Sequence, residues 1–197
     1  MSAARAVEAE RGLTADECRE LLLVARRAIA VHLRGRRPEL TVPTGSLAEA
    51  PTGSLAEPRG AFVTLHRPDG ELRGCVGLLR SDRALLETVA RMAVAAATED
   101  GRFAPVTEAE LDGLTIEISV LGPLQPIRPE DVEVGRHGLL VDHRGRRGVL
   151  LPQVPTEHGW DRETFLAQTC RKAGLPEDAW KEPGVELLAF TAEVFGE

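Results

Sequence analysis

The sequence predicts an α+β fold, with a mostly antiparallel sheet and flanking helices. Short apolar runs occur in pairs around turn sequences, as residues 60–66 and 72–79 do around the turn at 68–70. Segments with helical spacing lie between these pairs at irregular intervals. Strands that follow one another as hairpins favour an antiparallel sheet, and the irregular helices argue against a doubly wound parallel fold.

Four segments are predicted to be helical from the spacing of their apolar residues and from their capping residues. Thr14 with Glu17, and Thr107 with Glu110, have the spacing of a capping box, in which both side chains bond to backbone N–H groups of the first turn. The four helices are predicted from about Ala15 to Leu33, from Ser81 or Asp82 to Gly101, from Thr107 to near Gly113, and from Asp161 to Gly174.

The remaining strands follow from the alternation of apolar and polar side chains. Residues 114–121 alternate in this way, which predicts a half-buried strand. Residues 138–142 and 148–151 are predicted to pair as a hairpin around the turn at 144–145. The segment 185–195 is apolar on both sides at its middle, so it is predicted to be one long strand at the centre of a sheet.

A length of 197 residues suits one domain with a small appended lobe. We expect residues 1–13 to be a flexible N-terminus and residues 14–197 to form the folded domain. The smaller lobe is predicted at about 123–160.

The heptapeptide at 43–49 recurs without change at 51–57. Two copies of a unit that contains Pro, Gly and Ser are too few to stack into a solenoid. Residues 40–58 are therefore interpreted as a duplicated surface linker.

Composition limits the classes of function. The chain has 24 basic and 31 acidic residues, a net charge of −7, and only 4% aromatic residues. This balance makes nucleic acid and anionic membranes improbable partners. Residues 1–12 lack the apolar stretch of a signal peptide and no apolar run is long enough to span a bilayer, so we expect a cytoplasmic protein.

The three cysteines, Cys18, Cys75 and Cys170, are too widely spaced for a disulfide framework or a zinc ribbon. Among the histidines, His66, His143 and His158 have no spacing that would bring them together. We therefore expect neither a metal site nor a cofactor.

Cys75 is the main candidate for chemistry, because it lies in the unusual segment Arg73-Gly74-Cys75-Val76-Gly77. In a regular strand Arg73 and Cys75 share a face, where a guanidinium would favour the thiolate form of the cysteine. Gly74 and Gly77 would let a ligand approach the backbone. The alternative is that Cys75 is a small buried residue that fills a tight space.

Eight segments of the chain carry a resemblance to a known family, namely 58–65, 72–77, 102–105, 116–121, 135–139, 150–154, 159–161 and 170–175. In this order they resemble the AMMECR-type domain, the A component of the AmmeMemoRadiSam system. The resemblance implies a two-lobed α+β protein with a cleft between the lobes, associated with a Memo-type protein and a radical-SAM protein. It implies no particular reaction, and the chain lacks the cysteine spacing of an iron–sulfur cluster.

Three further residues are candidates for a site in such a cleft. His137 is the candidate acid/base partner of Cys75, and the alternative is a turn histidine that bonds to local backbone. Gln153 and Trp160 are candidates to line the cleft and bind a ligand. For each of these two, the alternative is a structural role.

These residues support three hypotheses. The first is an accessory or binding component of a modification pathway, which presents the region of Arg73 and Cys75 to a small anionic ligand or to a partner protein. The second is a cysteine-dependent enzyme with Cys75 as nucleophile and His137 as acid/base. The third is a nucleic-acid-binding protein that uses the basic turn at 144–147, and the net acidity of the chain weighs against it.

Overall fold

The computed structural model describes residues 12–35 and 52–197, which form two compact units. The first unit contains the described residues up to Val120 together with Glu193–Glu197, and the second contains Leu121–Ala192. Each unit has one four-stranded antiparallel sheet, which confirms the predicted α+β class. The helices and strands are α1 (Ala15–Leu33), β1 (Ala61–His66), β2 (Leu72–Leu78), α2 (Leu85–Thr98), α3 (Glu108–Leu111), β3 (Thr115–Leu121), β4 (Gln125–Pro126), β5 (Gly138–His143), β6 (Arg146–Leu150), α4 (Gln153–Glu157), α5 (Arg162–Lys172), β7 (Glu186–Phe190) and β8 (Ala192–Gly196).

The sheet of the first unit has the strand order β2-β1-β3-β8. Helix α2 packs on β1 and β2, and α1 packs against α2. Alternate residues of the two central strands point into this core, so that Val63, Leu65, Ile116 and Ile118 are almost fully buried. The opposite face of the sheet carries the intervening side chains.

The first helix has the predicted bounds, and both predicted capping boxes are present. The second helix begins later than predicted, at Leu85 instead of Ser81 or Asp82. The Ser81 hydroxyl accepts hydrogen bonds from the Arg83 N–H and from the Thr88 hydroxyl. Ser81 therefore stabilises a turn that precedes the helix and does not cap the helix itself.

The interpretation of the repeat as a surface linker is wrong for the second copy. Residues 53–56 form one turn of 3-10 helix, in which Leu55 is buried in the core of the first unit. The Glu57 carbonyl accepts the N–H of Leu85 at the start of α2. This copy is anchored by apolar burial and by a backbone bond, whereas the first copy lies outside the described residues.

The sheet of the second unit has the order β4-β7-β5-β6, and α5 packs on β5 and β6. The predicted hairpin is present, and Arg144 and Gly145 have positive φ angles of 54° and 82°, as in a type I′ turn. Phe165 and Leu166 of α5 and Leu187 of β7 share one core. The sequence predicted that the smaller lobe ends at about residue 160, whereas the second unit extends to Ala192.

The prediction of one long strand over 185–195 is wrong. The chain forms two strands, β7 and β8, which belong to different sheets and are separated by Thr191. The Thr191 carbonyl accepts the N–H of Gly122. Strand β7 is central in its sheet, whereas β8 is an edge strand. The alternation of apolar and polar residues continues through both strands, so the sequence gave no sign that the chain passes from one sheet to the other at Thr191.

No helix within 12–35 or 52–197 combines the length and the apolar character needed to cross a bilayer.

Candidate functional site

Strand β2 is irregular where the sequence predicted that Arg73 and Cys75 share a face. Leu65 of β1 pairs with Gly74 and His66 pairs with Leu72, which leaves Arg73 as an extra residue in β2. Such a bulge interrupts the alternation of side chains and re-aims one of them. Across this bulge, a spacing of two residues does not by itself define a shared face.

The guanidinium of Arg73 is instead committed to Glu110 of α3. Its Nε and Nη2 atoms donate to the two carboxylate oxygens at 3.1 and 3.4 Å, and its side chain is only 6% exposed. Hydrogen bonds from Thr107 and from Arg73 lower the pKa of Glu110 to about 2. Arg73 thus links the bulge of β2 to α3, and Glu110 neutralises its charge.

The space beside the two glycines of this segment is filled by the protein itself. A Cβ atom at Gly74 would lie 2.2 Å from the carbonyl oxygen of Ala96 in α2, and one at Gly77 would lie 2.2 Å from the ring of Phe62. Both contacts are far shorter than any real Cβ makes. Packing alone therefore explains both glycines, and neither is needed to admit a ligand.

Cys75 is half-buried on β2, opposite Thr64 of β1. The Thr64 hydroxyl donates to its Sγ atom at 3.3 Å. The Cys75 backbone N–H points to the free edge of the sheet and donates to Oδ2 of Asp100 at 2.8 Å. These two bonds connect Cys75 to β1 on one side and to the loop after α2 on the other.

Asp100 connects Cys75 to an exposed cation. Its carboxylate is only 7% exposed and accepts the Nε and Nη2 atoms of Arg102 at 2.9 and 2.7 Å. The pKa of Asp100 is well below its usual range, first because of the side-chain bonds from Arg102 and then because of the backbone N–H groups of Cys75 and Arg102, while burial opposes this shift. The carboxylate is therefore charged at any physiological pH.

Arg102 is held within electrostatic reach of the thiol. Its pKa is raised, chiefly by its hydrogen bonds with Asp100 and to a smaller extent by attraction to Cys75. Its side chain is 57% exposed, and its guanidinium lies 5.4 Å from the ring of Phe103. Both bonds to Asp100 use Nε and Nη2, which leaves Nη1 outside the pair. The thiol, the buried carboxylate and the exposed guanidinium form what we call the thiol–arginine site: Thr64, Cys75, Asp100, Arg102 and Phe103.

His137 lies in the second unit, and its geometry is that of a turn histidine. The imidazole Nδ1 atom of His137 accepts the backbone N–H of Glu133 at 3.1 Å, and the backbone N–H of His137 donates to the Glu133 carbonyl. Its pKa is lowered by burial and then by the charge of Arg136. The imidazole is therefore neutral at pH 7, with the proton on Nε2. The pairing of His137 with Cys75 stays a prediction.

Gln153 and Trp160 also lie in the second unit. Gln153 begins α4, and its Oε1 is buried without a hydrogen-bond partner among the described residues. Trp160 packs partly into the core of this unit and makes an edge contact with His158, with ring centroids 4.7 Å apart. A structural contact thus accounts for Trp160, whereas the orphaned oxygen of Gln153 has no structural explanation.

The other two cysteines have different surroundings. Burial raises the pKa of both Cys18 and Cys170, and nearby carboxylates add to the effect. Among the described residues, no cation opposes this shift at either thiol. Within 12–35 and 52–197, no group of three or more His, Cys, Asp or Glu side chains could hold a metal ion.

Sequence reasoning did not identify Thr64, Asp100, Arg102 or Glu110 as members of a site. The pairing of Thr64 with Cys75 gave no signal, because the register at the turn would place Val63 opposite Cys75 and only the bulge at Arg73 brings Thr64 there. One signal was available for the other two residues of the site. Asp100 and Arg102 flank Gly101 directly after a helix that packs on β2, where polar side chains can reach the edge of the sheet.

Comparisons with known proteins place these residues in a family. The AMMECR1 family model matches residues 22–195. A protein of Thermococcus gammatolerans is 46% identical over 197 residues, with 92% of this chain and 91% of the relative covered. Protein MK0488 of Methanopyrus kandleri is 44% identical, with 94% and 90% covered.

The chain is also similar to a solved structure. The crystal structure of protein PH0010 from Pyrococcus horikoshii superposes with a TM-score of 0.76 at 42% identity, and the match covers 90% of this chain and 89% of that one. Both the sequence match and the structural match extend over nearly the whole chain. The chain therefore belongs to the AMMECR1 family.

Proposed function

We propose that this protein is a binding component that holds a small anionic ligand at the thiol–arginine site of its first unit. One observation carries the proposal. The buried carboxylate of Asp100 binds the backbone of Cys75 and the guanidinium of Arg102 at the same time. This arrangement orients an exposed cation near Cys75 before a ligand arrives, which reduces the entropic cost of binding.

Arg102, and not Arg73, is the cation that would meet the ligand. Arg73 is buried and neutralised by Glu110, whereas Arg102 is more than half exposed. A guanidinium that is already oriented recognises carboxylate or phosphate oxygens through its remaining N–H groups. The pair with Asp100 uses the N–H of Nε and one N–H of Nη2, so Arg102 offers the second N–H of Nη2 and both N–H groups of Nη1 to the ligand.

The partners in this proposal are a Memo-type protein and a radical-SAM protein, with which the chain would act in a modification pathway. The cytoplasm is the proposed location, since all three cysteines are free and a reducing compartment keeps them so. The experiment is co-purification of the full chain with each of these two proteins. Failure of both to associate at micromolar concentrations would count against the pathway assignment.

Ligand binding is tested by thermal shift with inorganic phosphate, sulfate and acetate at constant ionic strength. We expect at least one of these anions to raise the melting temperature of the wild type. Arg102→Gln should remove the shift, and Arg102→Lys should restore part of it. The matched control is Arg91→Gln, an exposed arginine of α2. Equal shifts in Arg102→Gln and in the wild type would contradict the proposal.

A cysteine-dependent enzyme is the second candidate, and the bond from Thr64 to Sγ favours it. A hydroxyl donor and a nearby cation are two of the features that activate thiols. Among the described residues no carboxylate or imidazole bonds to Sγ, so a base would have to arrive with the substrate or from His137. For this reason the binding function ranks first.

The two candidates are separated by the reactivity of the thiol. If Cys75 is a nucleophile, iodoacetamide should modify it at pH 7 well before Cys18 and Cys170, whose pKa values are raised by burial. Peptide mass spectrometry gives the three rates in one experiment. Thr64→Val should slow the reaction of Cys75 without slowing the other two. Modification of Cys75 only after denaturation would exclude the enzyme.

A further inference from the structure

The four edge strands of the two sheets differ in how they are protected from pairing with another strand. An edge presents unpaired N–H and C=O groups, and natural proteins block it with bulges, charges, proline or very short strands. The edges are β2 and β8 in the first sheet and β4 and β6 in the second. Three of these four carry at least one such device.

The protected edges each use a different device. Strand β2 has the bulge at Arg73, and the carboxylate of Asp100 takes the outward N–H of Cys75. Strand β4 has only two residues, one of which is Pro126. Strand β6 begins with Arg146 and Arg147, which are both exposed.

Strand β8 contains no proline and keeps one register with β3 at both of its ends, and the carboxylate of its one charged residue, Glu193, is already bound by Arg59 and by the N–H of Leu13. The Glu197 N–H donates to the Ile116 carbonyl of β3, so alternate residues, Phe195 and Glu193, also direct their backbone groups to β3. The backbone groups of Ala192, Val194 and Gly196 then point to the other side. Within the described ranges no strand pairs there, and Val194 is 46% exposed.

We propose that β8 pairs antiparallel with β8 of a second copy of this chain, about a two-fold axis at Val194. In this register Val194 lies opposite the partner's Val194, and Ala192 lies opposite the partner's Gly196. The outward N–H and C=O groups of these residues satisfy one another, and the two exposed valines form an apolar cross-strand pair. The two sheets become one continuous sheet across the interface.

The occupant is a second copy because the strand is self-complementary. The only charged residue of β8, Glu193, falls opposite the partner's Phe195, so no like charges face each other. A closed two-fold contact of this kind uses the same patch on both chains and cannot propagate into a fibre. The area of two five-residue strands is below that of a standard interface, so the dimer should be weak, with a Kd on the order of 10–100 µM.

The test is sedimentation velocity of the full chain from about 5 µM to about 500 µM, under reducing conditions that exclude disulfide dimers. Wild type should shift from monomer to dimer across this range. Val194→Lys and Val194→Glu should each stay monomeric, because like charges then meet on the two-fold axis. Leu78→Lys is the matched control, since it places the same charge at an exposed apolar residue of the protected edge β2.

Mixing the two charged variants makes the test specific to the register. An equimolar mixture of Val194→Lys and Val194→Glu should associate again, since opposite charges now meet on the axis. A wild type that stays monomeric at 500 µM, or a dimer that both charged variants retain, would overturn the proposal. A mixture that does not associate would overturn the register centred on Val194.

Discussion

In both units a glycine lets a helix backbone reach the sheet, and a second glycine lies under an aromatic ring from the neighbouring strand. A Cβ at Gly74 would lie 2.2 Å from the Ala96 carbonyl of α2, and a Cβ at Gly148 would lie 2.3 Å from the Thr169 carbonyl of α5. Likewise, Gly77 lies under the ring of Phe62, and Gly138 lies under that of Phe190. The two sheets are therefore built with the same packing devices.

The units differ in what surrounds these glycines. Around Gly148 the helix contacts are apolar or backbone, and the nearby pair of Asp142 and Arg147 is a local contact within one hairpin. In the first unit, the residue next to Gly74 is Cys75, whose N–H is bound by the buried Asp100. Glycine between strand and helix is thus a general solution to close packing, and the ionisable groups are what single out the first unit as the proposed site.

Replacing the packing glycines should have the largest effect, and it should be similar in the two units. In Gly74→Ala and Gly148→Ala the new methyl group meets backbone atoms that cannot turn away, so we expect a loss of about 3 kcal/mol or more for each. Urea unfolding followed by circular dichroism measures this loss. Gly101→Ala is the control, since a Cβ there has nothing within 4 Å. If Gly74→Ala is as stable as the wild type while Gly148→Ala is destabilised, the two glycine contacts are not equivalent.

The two aspartate–arginine pairs should respond differently to mutation. Asp100→Ala leaves the N–H of Cys75 without its acceptor and frees Arg102, which should cost about 2 kcal/mol. Asp142→Ala breaks a pair at an exposed turn, and its effect on stability should be clearly smaller, because solvent replaces the lost bonds. Asp100→Asn, which retains an acceptor oxygen, should recover part of the loss. Equal effects of Asp100→Ala and Asp142→Ala would remove the reason for singling out the first unit.

The regular elements were predictable from sequence because local rules decide them. A capping box fixed the start of the prediction for α1, apolar spacing fixed its end, and a turn sequence located the hairpin of β1 and β2. The family resemblance also led to the correct family. The segment around Cys75 was singled out because glycines and a thiol are unusual in a strand.

The parts that failed depend on contacts between distant residues. The prediction that Arg73 and Cys75 share a face assumed that β2 is a regular strand. The amino-acid composition of this segment does not reveal the bulge at Arg73. The division of 185–195 between two sheets depends on which partner strands are near, and not on the segment itself. Asp100 is 25 residues from Cys75, and only the packing of α2 on β2 brings them together. The burial of Leu55 was missed because a repeated unit that contains Pro, Gly and Ser was interpreted as a surface linker.

Lowering the pH should destabilise the first unit, because Glu110 becomes protonated. This loss of stability should be smaller than those expected for the glycine and the aspartate substitutions. The folded pKa of Glu110 is about 2, below its ordinary value of 4.5, so the unfolded state binds more protons between these limits. The stability that Glu110 contributes is therefore fully present above about pH 4.5 and is lost as the pH falls towards about 2. Solvent screening reduces the effect, because the Glu110 side chain is 39% exposed.

The measurement is the urea midpoint of the wild type and of Glu110→Gln at intervals between pH 6 and pH 3. Glu110→Gln should be less stable than the wild type at pH 6, and the difference should narrow as the pH falls, because the wild-type carboxylate loses its charge and its attraction to Arg73. Glu163→Gln, at an exposed glutamate of α5 in the second unit, is the control and should give a difference that does not change with pH. A Glu110→Gln difference that stays constant from pH 6 to pH 3 would mean that Arg73 is held by shape and hydrogen bonding, and not by the charge of its partner.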